Sequence, residues 1–250
     1  MQLQLIRNAT LKITYAGKTL LVDPMLSPKH GFQSFAGKEE NPTVDLPMPA
    51  DDVIASVDAV LVTHTHTDHF DPPAIAALAR SLPLFCQPAD VDKMLGFGFE
   101  KVTSTYPATF GGIDISRTGG KHGSGAILEH MGDVSGFLLK AEGEPTVYII
   151  GDSIWVDDVE SALSRFHPDV IVTNSGGAII PGFESTPILM EQTETVRVAE
   201  AVPSARVIAV HLEALDHCGV TRASIRNLAN EKGISDDRLL IPADGEVLEL

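Results

Sequence analysis

Residues 57–69 read Val-Asp-Ala-Val-Leu-Val-Thr-His-Thr-His-Thr-Asp-His, an apolar, β-branched stretch that runs straight into three imidazoles and a carboxylate. His64 and His66 are two apart, so on an extended segment both side chains leave the same side of the backbone. Asp68 and His69 aim at a second point nearby, and one short loop can therefore serve two metal ions. A lone buried histidine is ordinarily a core residue, and a charged run is ordinarily a solvated loop. Four such groups within six residues are different. Protonating them sets like charges against one another, and their ring nitrogens need partners that a divalent cation supplies.

His64, His66, Asp68 and His69 together spell H-x-H-x-D-H, and with it the chain resembles the metallo-β-lactamase fold superfamily over nearly its whole length. Within that superfamily it is most similar to the L-ascorbate-6-phosphate lactonase-like hydrolases. The resemblance implies an α/β protein, an αββα sandwich of two mixed β-sheets with outer helices, with metals held by loops at one edge. It also implies further ligands. His122 matches the third histidine, Asp152 the carboxylate that bridges both metals, one oxygen to each, and His211 the last histidine. One ion then falls to His64, His66 and His122, the other to Asp68, His69 and His211, with Asp152 between them. His217, six residues past His211, competes for the last ligand position and is otherwise a candidate general acid. Asp68 is the second catalytic candidate, able to orient the attacking water or move its proton.

The local sequence bears on each of these. His122 sits among Gly119, Gly120, Gly123 and Gly125, which let backbone approach an ion closely, although a histidine in such a turn is by itself ordinarily just exposed. Asp152 ends the apolar run 147–150, where the plain reading is a helix N-cap, a role Ser153 can share. His211 follows Val207-Ile208-Ala209-Val210 in the same manner. Asp23 closes a strand at the same edge, either as an Asp-Pro turn or as a hydrogen-bond partner that orients a ligating histidine. Asn174, in Thr-Asn-Ser-Gly-Gly, reads as a structural turn first and a substrate contact second. His30, His130 and His167 lack any such context and read as surface or structural residues. A ligand set of N and O donors without cysteine suits Zn²⁺ first and Mn²⁺ or Fe²⁺ next, two ions per chain.

Composition narrows the class. A chain of 250 residues, 44% hydrophobic and 21% charged, with no repeat or low-complexity linker, is expected to form one domain over 1–250. The net charge of -16 argues against nucleic acid as a partner, since that binding needs a basic patch that releases counterions. The first eighteen residues alternate like strands and lack the basic start and apolar core of a signal peptide. No apolar run approaches the ~18 to 20 residues needed to span a bilayer. A cytoplasmic protein with a small-molecule substrate is expected, with homo-oligomerisation left open. Cys86 and Cys218 are too few for a disulfide framework; the first reads as core, and the second, beside His217, lies near the expected site.

Strands are expected over 2–7, 11–15 and 18–22 as a meander, then at 57–62, 84–87, 113–117, 135–140, 146–150, 169–173 and 206–210. Helices are expected from Asp71-Pro72-Pro73 to about Arg80 and over 90–95, 157–166, 191–201 and 221–231. Residues 24–50 hold five prolines and two glycines with little periodicity and read as a long ordered loop, either a lid or binding loop or a plain mobile surface excursion.

The expected chemistry is hydrolysis by a metal-activated water on a small ester, lactone or phosphoester. A phosphodiesterase or nuclease is the alternative within the same chemistry, needing a local cationic surface such as Lys101, Arg117 and Lys121. A metal-binding or sensor protein without catalysis is the alternative from another class.

Overall fold

Two seven-stranded sheets lie face to face in the computed structural model, which describes residues 1–104 and 106–250. The first sheet holds β1 (Gln2–Arg7), β2 (Thr10–Tyr15), β3 (Lys18–Val22), β4 (Ala59–Val62), β5 (Pro83–Cys86), β6 (Lys101–Thr103) and, at its far edge beside β1, β14 (Val247–Glu249). The second runs in order from β7 (Ala108–Phe110), β8 (Ile113–Thr118), β9 (Gly136–Lys140), β10 (Val147–Ile149), β11 (Val170–Asn174) and β12 (Arg206–Val210) to β13 (Leu239–Leu240). Each sheet begins antiparallel and ends parallel: β1, β2 and β3 form a meander, then β3 to β6 run parallel, while β7 to β10 alternate and β10 to β13 run parallel. This is the expected αββα sandwich of mixed sheets.

Strand alternation explains the layers. Leu61 of β4 faces the space between the sheets, while Val60 and Val62 pack outward under helices. On β10, Val147 and Ile149 point inward and Tyr148 outward. Strands buried on both faces read as continuous apolar runs, which is why β4, β10, β11 and β12 stand out in the sequence. Helices α1 (Ala50–Ile54), α2 (Pro72–Ala77) and α3 (Val91–Gly96) cover the first sheet; α4 (Leu128–Met131) is a single turn near the site; α5 (Asp157–Phe166), α6 (Gln192–Ala201) and α7 (Arg222–Glu231) cover the second. Among the described residues no helix is long and apolar enough to cross a membrane.

The structure departs from these expectations at one helix end and in the short strands, while 24–50 is the long ordered loop expected. The helix starting at Asp71, whose carboxylate caps the Ala74 amide as anticipated, stops at Ala77 rather than near Arg80, because Leu78 turns extended and the Arg80 guanidinium takes the Ile75 and Leu78 carbonyls. The 24–50 segment is tied down internally, with Phe32 and Asn41 forming a backbone bridge. The short strands β6, β7, β13 and β14, of two or three residues each, carry too little periodicity to be read from sequence.

Candidate metal centre

Parallel strands deliver their carboxyl ends to one edge of the sandwich, where open α/β sheets place ligands. The loop after β4 brings His64, His66, Asp68 and His69; β10 ends before Asp152; β12 ends before His211; and the loop after β8 brings His122. The first four come from one sheet and the last three from the other. Two tight backbones make this possible. Gly151 holds φ +74°, and a Cβ there would lie 2.6 Å from the Ser135 carbonyl oxygen, so only glycine lets the chain turn into Asp152. His211 itself adopts φ +60°, an uncommon conformation for a side-chain-bearing residue. It is held there by its amide, which donates to the Asn8 carbonyl at 2.9 Å, while the Asn8 side chain donates to the Asp68 carbonyl at 3.1 Å.

The donor atoms form two groups, His64 with His66 and His122, and Asp68 with His69, Asp152 and His211, each within 4.8 Å of its fellows. His64 Nε2 lies 2.9 Å from His66 Nδ1, and His122 Nε2 lies 3.3 Å from that same Nδ1. Asp152 Oδ2 faces four rings, at 3.1 Å from His69 Nε2, 3.4 Å from His122 Nε2, and 3.8 Å from both His64 Nε2 and His211 Nε2. Its other oxygen has a protein partner. Oδ1 accepts from Asn174 Nδ2 at 2.6 Å, so a single oxygen sits between the two groups. Asn174 is thereby explained as the clamp on Asp152 rather than as a plain turn or a substrate contact.

Outer partners fix the rings. Asp23, buried at the end of β3, accepts from His69 Nδ1 at 2.9 Å and from the Thr63 amide and hydroxyl, each at 2.7 Å. The second reading of Asp23, as the partner that orients a ligating ring, is therefore the one the geometry carries. His122 Nδ1 donates to the Ile188 carbonyl at 2.7 Å, turning Nε2 inward. Cys218 Sγ lies 3.6 Å from His211 Nδ1. His217 is 6% exposed and stands outside both donor groups, with Nδ1 buried and unpartnered. His30 pairs with Glu39 on the surface, and neither His130 nor His167 joins the cluster.

Electrostatics test whether this set fits cations. Burial alone would lower the His69 pKa, but Asp152, Asp68 and Asp23 outweigh it and raise it to about 10. His211 is likewise raised well above its ordinary value, burial being outweighed chiefly by Asp152 and the Asp68 hydrogen bond. His64 goes the other way, pushed well down by burial and by the neighbouring His69 and His66. Burial lowers His122 and His217 each to about 4, against the pull of nearby carboxylates. The three buried carboxylates thus call for positive charge, while His64 and His122 offer neutral lone pairs. His69 Nε2, buried without a hydrogen-bond partner, points the same way. Divalent cations meet all of these demands together.

Residues 18–212 match the β-lactamase superfamily domain. The chain belongs to the β-lactamase superfamily. A UPF0173 protein of Bacillus subtilis, YddR, is 37% identical over 98% of both chains. A possible metal-dependent hydrolase from Veillonella parvula superposes with a TM-score of 0.95 at 39% identity, covering 100% of this chain and 99% of the other. An isothiocyanate hydrolase from Delia radicum gut bacteria superposes with a TM-score of 0.93 at 38% identity, over the same shares. More distant UPF0173 relatives, such as that of Azorhizobium caulinodans at 23% identity over 77% of this chain and 80% of its own, are metal-dependent hydrolases by name.

A cavity of about 260 Å³ opens on the donor cluster. Phe35, Met131, Ile180 and Ile188 give it apolar walls, and His66, Asp68, His122, Asp152 and His217 form its polar floor. None of its described lining residues is a lysine or arginine.

Proposed function

We propose that the chain is a metal-dependent hydrolase of small, uncharged electrophiles, and that its substrate is an organic isothiocyanate. The observation that carries this reading is the cavity over the donor cluster: small, apolar-walled and without a cation. A phosphorylated lactone or a phosphodiester would bring negative charge to a cavity whose described lining holds no lysine or arginine, so that only ions in the donor groups would oppose it, in a chain already at -16. An isothiocyanate brings one linear, electron-poor N=C=S group and an apolar substituent. The likeness to an isothiocyanate hydrolase at 38% identity supports the same choice.

Divalent ions, Zn²⁺ first and Mn²⁺ or Fe²⁺ next, would be held by two donor groups, His64, His66 and His122 in one and Asp68, His69, Asp152 and His211 in the other. Bound there, they would lower the pKa of water to about 7 and draw electron density from the electrophile. Asp68, whose carboxylate is held below the usual range, burial being outweighed chiefly by His69 and His211, orients that water and accepts its hydrogen bond. The water oxygen bonds to the central carbon, the C–N bond breaks, and both water protons end on nitrogen, giving an amine and carbonyl sulfide. His217, a neutral imidazole at neutral pH with a pKa of about 4, hydrogen-bonds the leaving nitrogen rather than holding a spare proton for it. The apolar walls keep bulk water from the reacting carbon.

The test is elemental analysis of gently purified protein, followed by turnover of alkyl isothiocyanates, lactones and phosphodiesters after metal reconstitution. A ratio near two ions per chain, with amine release from the isothiocyanates alone, is the expected result. Metal-dependent turnover confined to lactones or phosphodiesters would replace the substrate assignment, and failure to bind any metal would remove the mechanism.

A further inference from the structure

Phe35 and Thr67 line two cavities at once. On one side is the cavity over the donor cluster; on the other is a cavity of about 370 Å³ whose further walls include Pro28, Phe32, Pro72 and Pro73. The Phe35 ring is fixed between neighbours, 5.5 Å from the Phe32 ring and edge-on to His217 at 5.0 Å. The strap that carries it, residues 34–41, is held by the Phe32–Asn41 backbone bridge and gathered onto one carboxylate. The Asp216 carboxylate accepts from the Ser34 hydroxyl, from the amides of Phe35 at 2.9 Å, Ala36 at 3.0 Å and Lys38 at 3.2 Å, and from Asn41 Nδ2 at 2.9 Å. Asn41 returns the bond, its Oδ1 accepting from the Asp216 amide at 2.8 Å. These donors converge on the residue next to His217 and so set where the strap, and Phe35 with it, lies against that ring.

We propose that the outer cavity is a second binding subsite, taking the apolar end of an elongated substrate past Phe35, and that Asp216 is the positioning residue that sets this partition. The proposal rests on the isothiocyanate reading for the reacting end of the ligand and goes beyond it for the other end. The Phe32, Phe35 and proline walls suit a phenyl ring on a short alkyl spacer, which would pass from the inner cavity along the shared Phe35 and Thr67. Burying each spacer methylene is worth about a fourfold gain in affinity.

The probes are phenylalkylamines with one to four methylenes, the products of the corresponding isothiocyanates, bound to metal-loaded protein and followed by ligand-observed NMR. Wild-type affinity is expected to climb about fourfold per methylene until the ring fills the outer cavity. Pro73→Trp, which fills that space from its outer wall, is expected to flatten the climb. Pro72→Phe fills it from the neighbouring position should the first variant fold poorly. Asp216→Asn is expected to weaken the longest amine about tenfold more than the shortest, whereas a merely structural loss would weaken all lengths alike. A flat series in the wild type, or an equally steep one in both filling variants, overturns the proposal. Turnover is read separately: a steep series without hydrolysis of any isothiocyanate refutes the functional reading and leaves the subsite standing, and hydrolysis with a flat series does the reverse.

Discussion

Replacing Asp23 with asparagine removes one hydrogen bond and one charge while keeping the shape of the side chain. In the wild type its carboxylate accepts from the His69 Nδ1–H at 2.9 Å and from both Thr63 donors at 2.7 Å. Asparagine can keep the Thr63 pair, its oxygen accepting from the amide and its NH₂ donating to the hydroxyl. Its NH₂ then faces the His69 N–H, donor against donor. A hydrogen bond to a charged group is worth about 1.5–3 kcal/mol, and loss of a partner that orients a metal-bound histidine costs roughly 10- to 100-fold in affinity. One effect opposes this: Asp23 helps raise the His69 pKa to about 10, so the variant frees His69 from proton competition. The net loss is therefore expected at about 10-fold, in the lower part of that range. The loss should be confined to the ion on Asp68, His69 and His211. Competitive titration against a chromophoric chelator resolves the two ions. Equal weakening of both ions, or no change in either, would refute the assignment of Asp23 to His69.

The other expectations rest on separate features. Gly151→Ala puts a Cβ 2.6 Å from the Ser135 carbonyl oxygen at φ +74° and is expected to lower stability by about 1–3 kcal/mol or more, read from urea unfolding. Asn174→Ala frees Asp152 Oδ1 and is expected to reduce turnover about tenfold with little loss of metal, the hydrogen bond removed being of the charged kind; complete metal loss would make Asn174 structural. His217→Ala is expected to keep both ions by elemental analysis while lowering kcat, and metal loss would instead make His217 a ligand. Burial raises Tyr148 from 10.0 to about 12 and Cys86 from 9.0 to about 12. A raised acid contributes stability that is present below its unfolded pKa and lost toward its folded one. Each group should therefore cost up to about 1.4 kcal/mol per pH unit, Cys86 above pH 9 and Tyr148 above pH 10, in denaturant midpoints; a flat profile from pH 9 to 12 would contradict their burial.

The sequence made the central strands and the ligand loop readable for one physical reason. Strands buried on both faces, such as β4 and β12, show as unbroken apolar runs, and a polar residue at their carboxyl ends is conspicuous. The helices at 157–166, 192–201 and 222–231 were legible because one face is buried against a sheet and the other is polar. Edge strands of two or three residues carry no such signature. The residues around the site divide in the same way. His64 through His69 announce themselves by density, whereas Asn8, Thr63 and Asp216 act through contacts with residues 60, 40 and up to 182 positions away. No local pattern encodes such a contact. Asn174 was visible but misjudged, because a turn-like sequence gives no hint that its amide meets Asp152 across 22 residues. Phe35 was hidden in a segment that reads as irregular, and only its place between two cavities gives it meaning.

That the two sheets contribute to both donor groups has a consequence for how the protein comes apart. His64 and His66 meet His122 across the sandwich, and Asp68 and His69 meet Asp152 and His211. An ion held by either group would therefore rivet the two layers together. Since the unfolded chain offers no such preassembled cage, ions bound at 1,000 times their dissociation constant add about 4 kcal/mol each to the cost of opening. The melting temperature becomes a gauge of free metal, and a cell short of the ion would hold this enzyme as a looser, protease-sensitive pair of sheets.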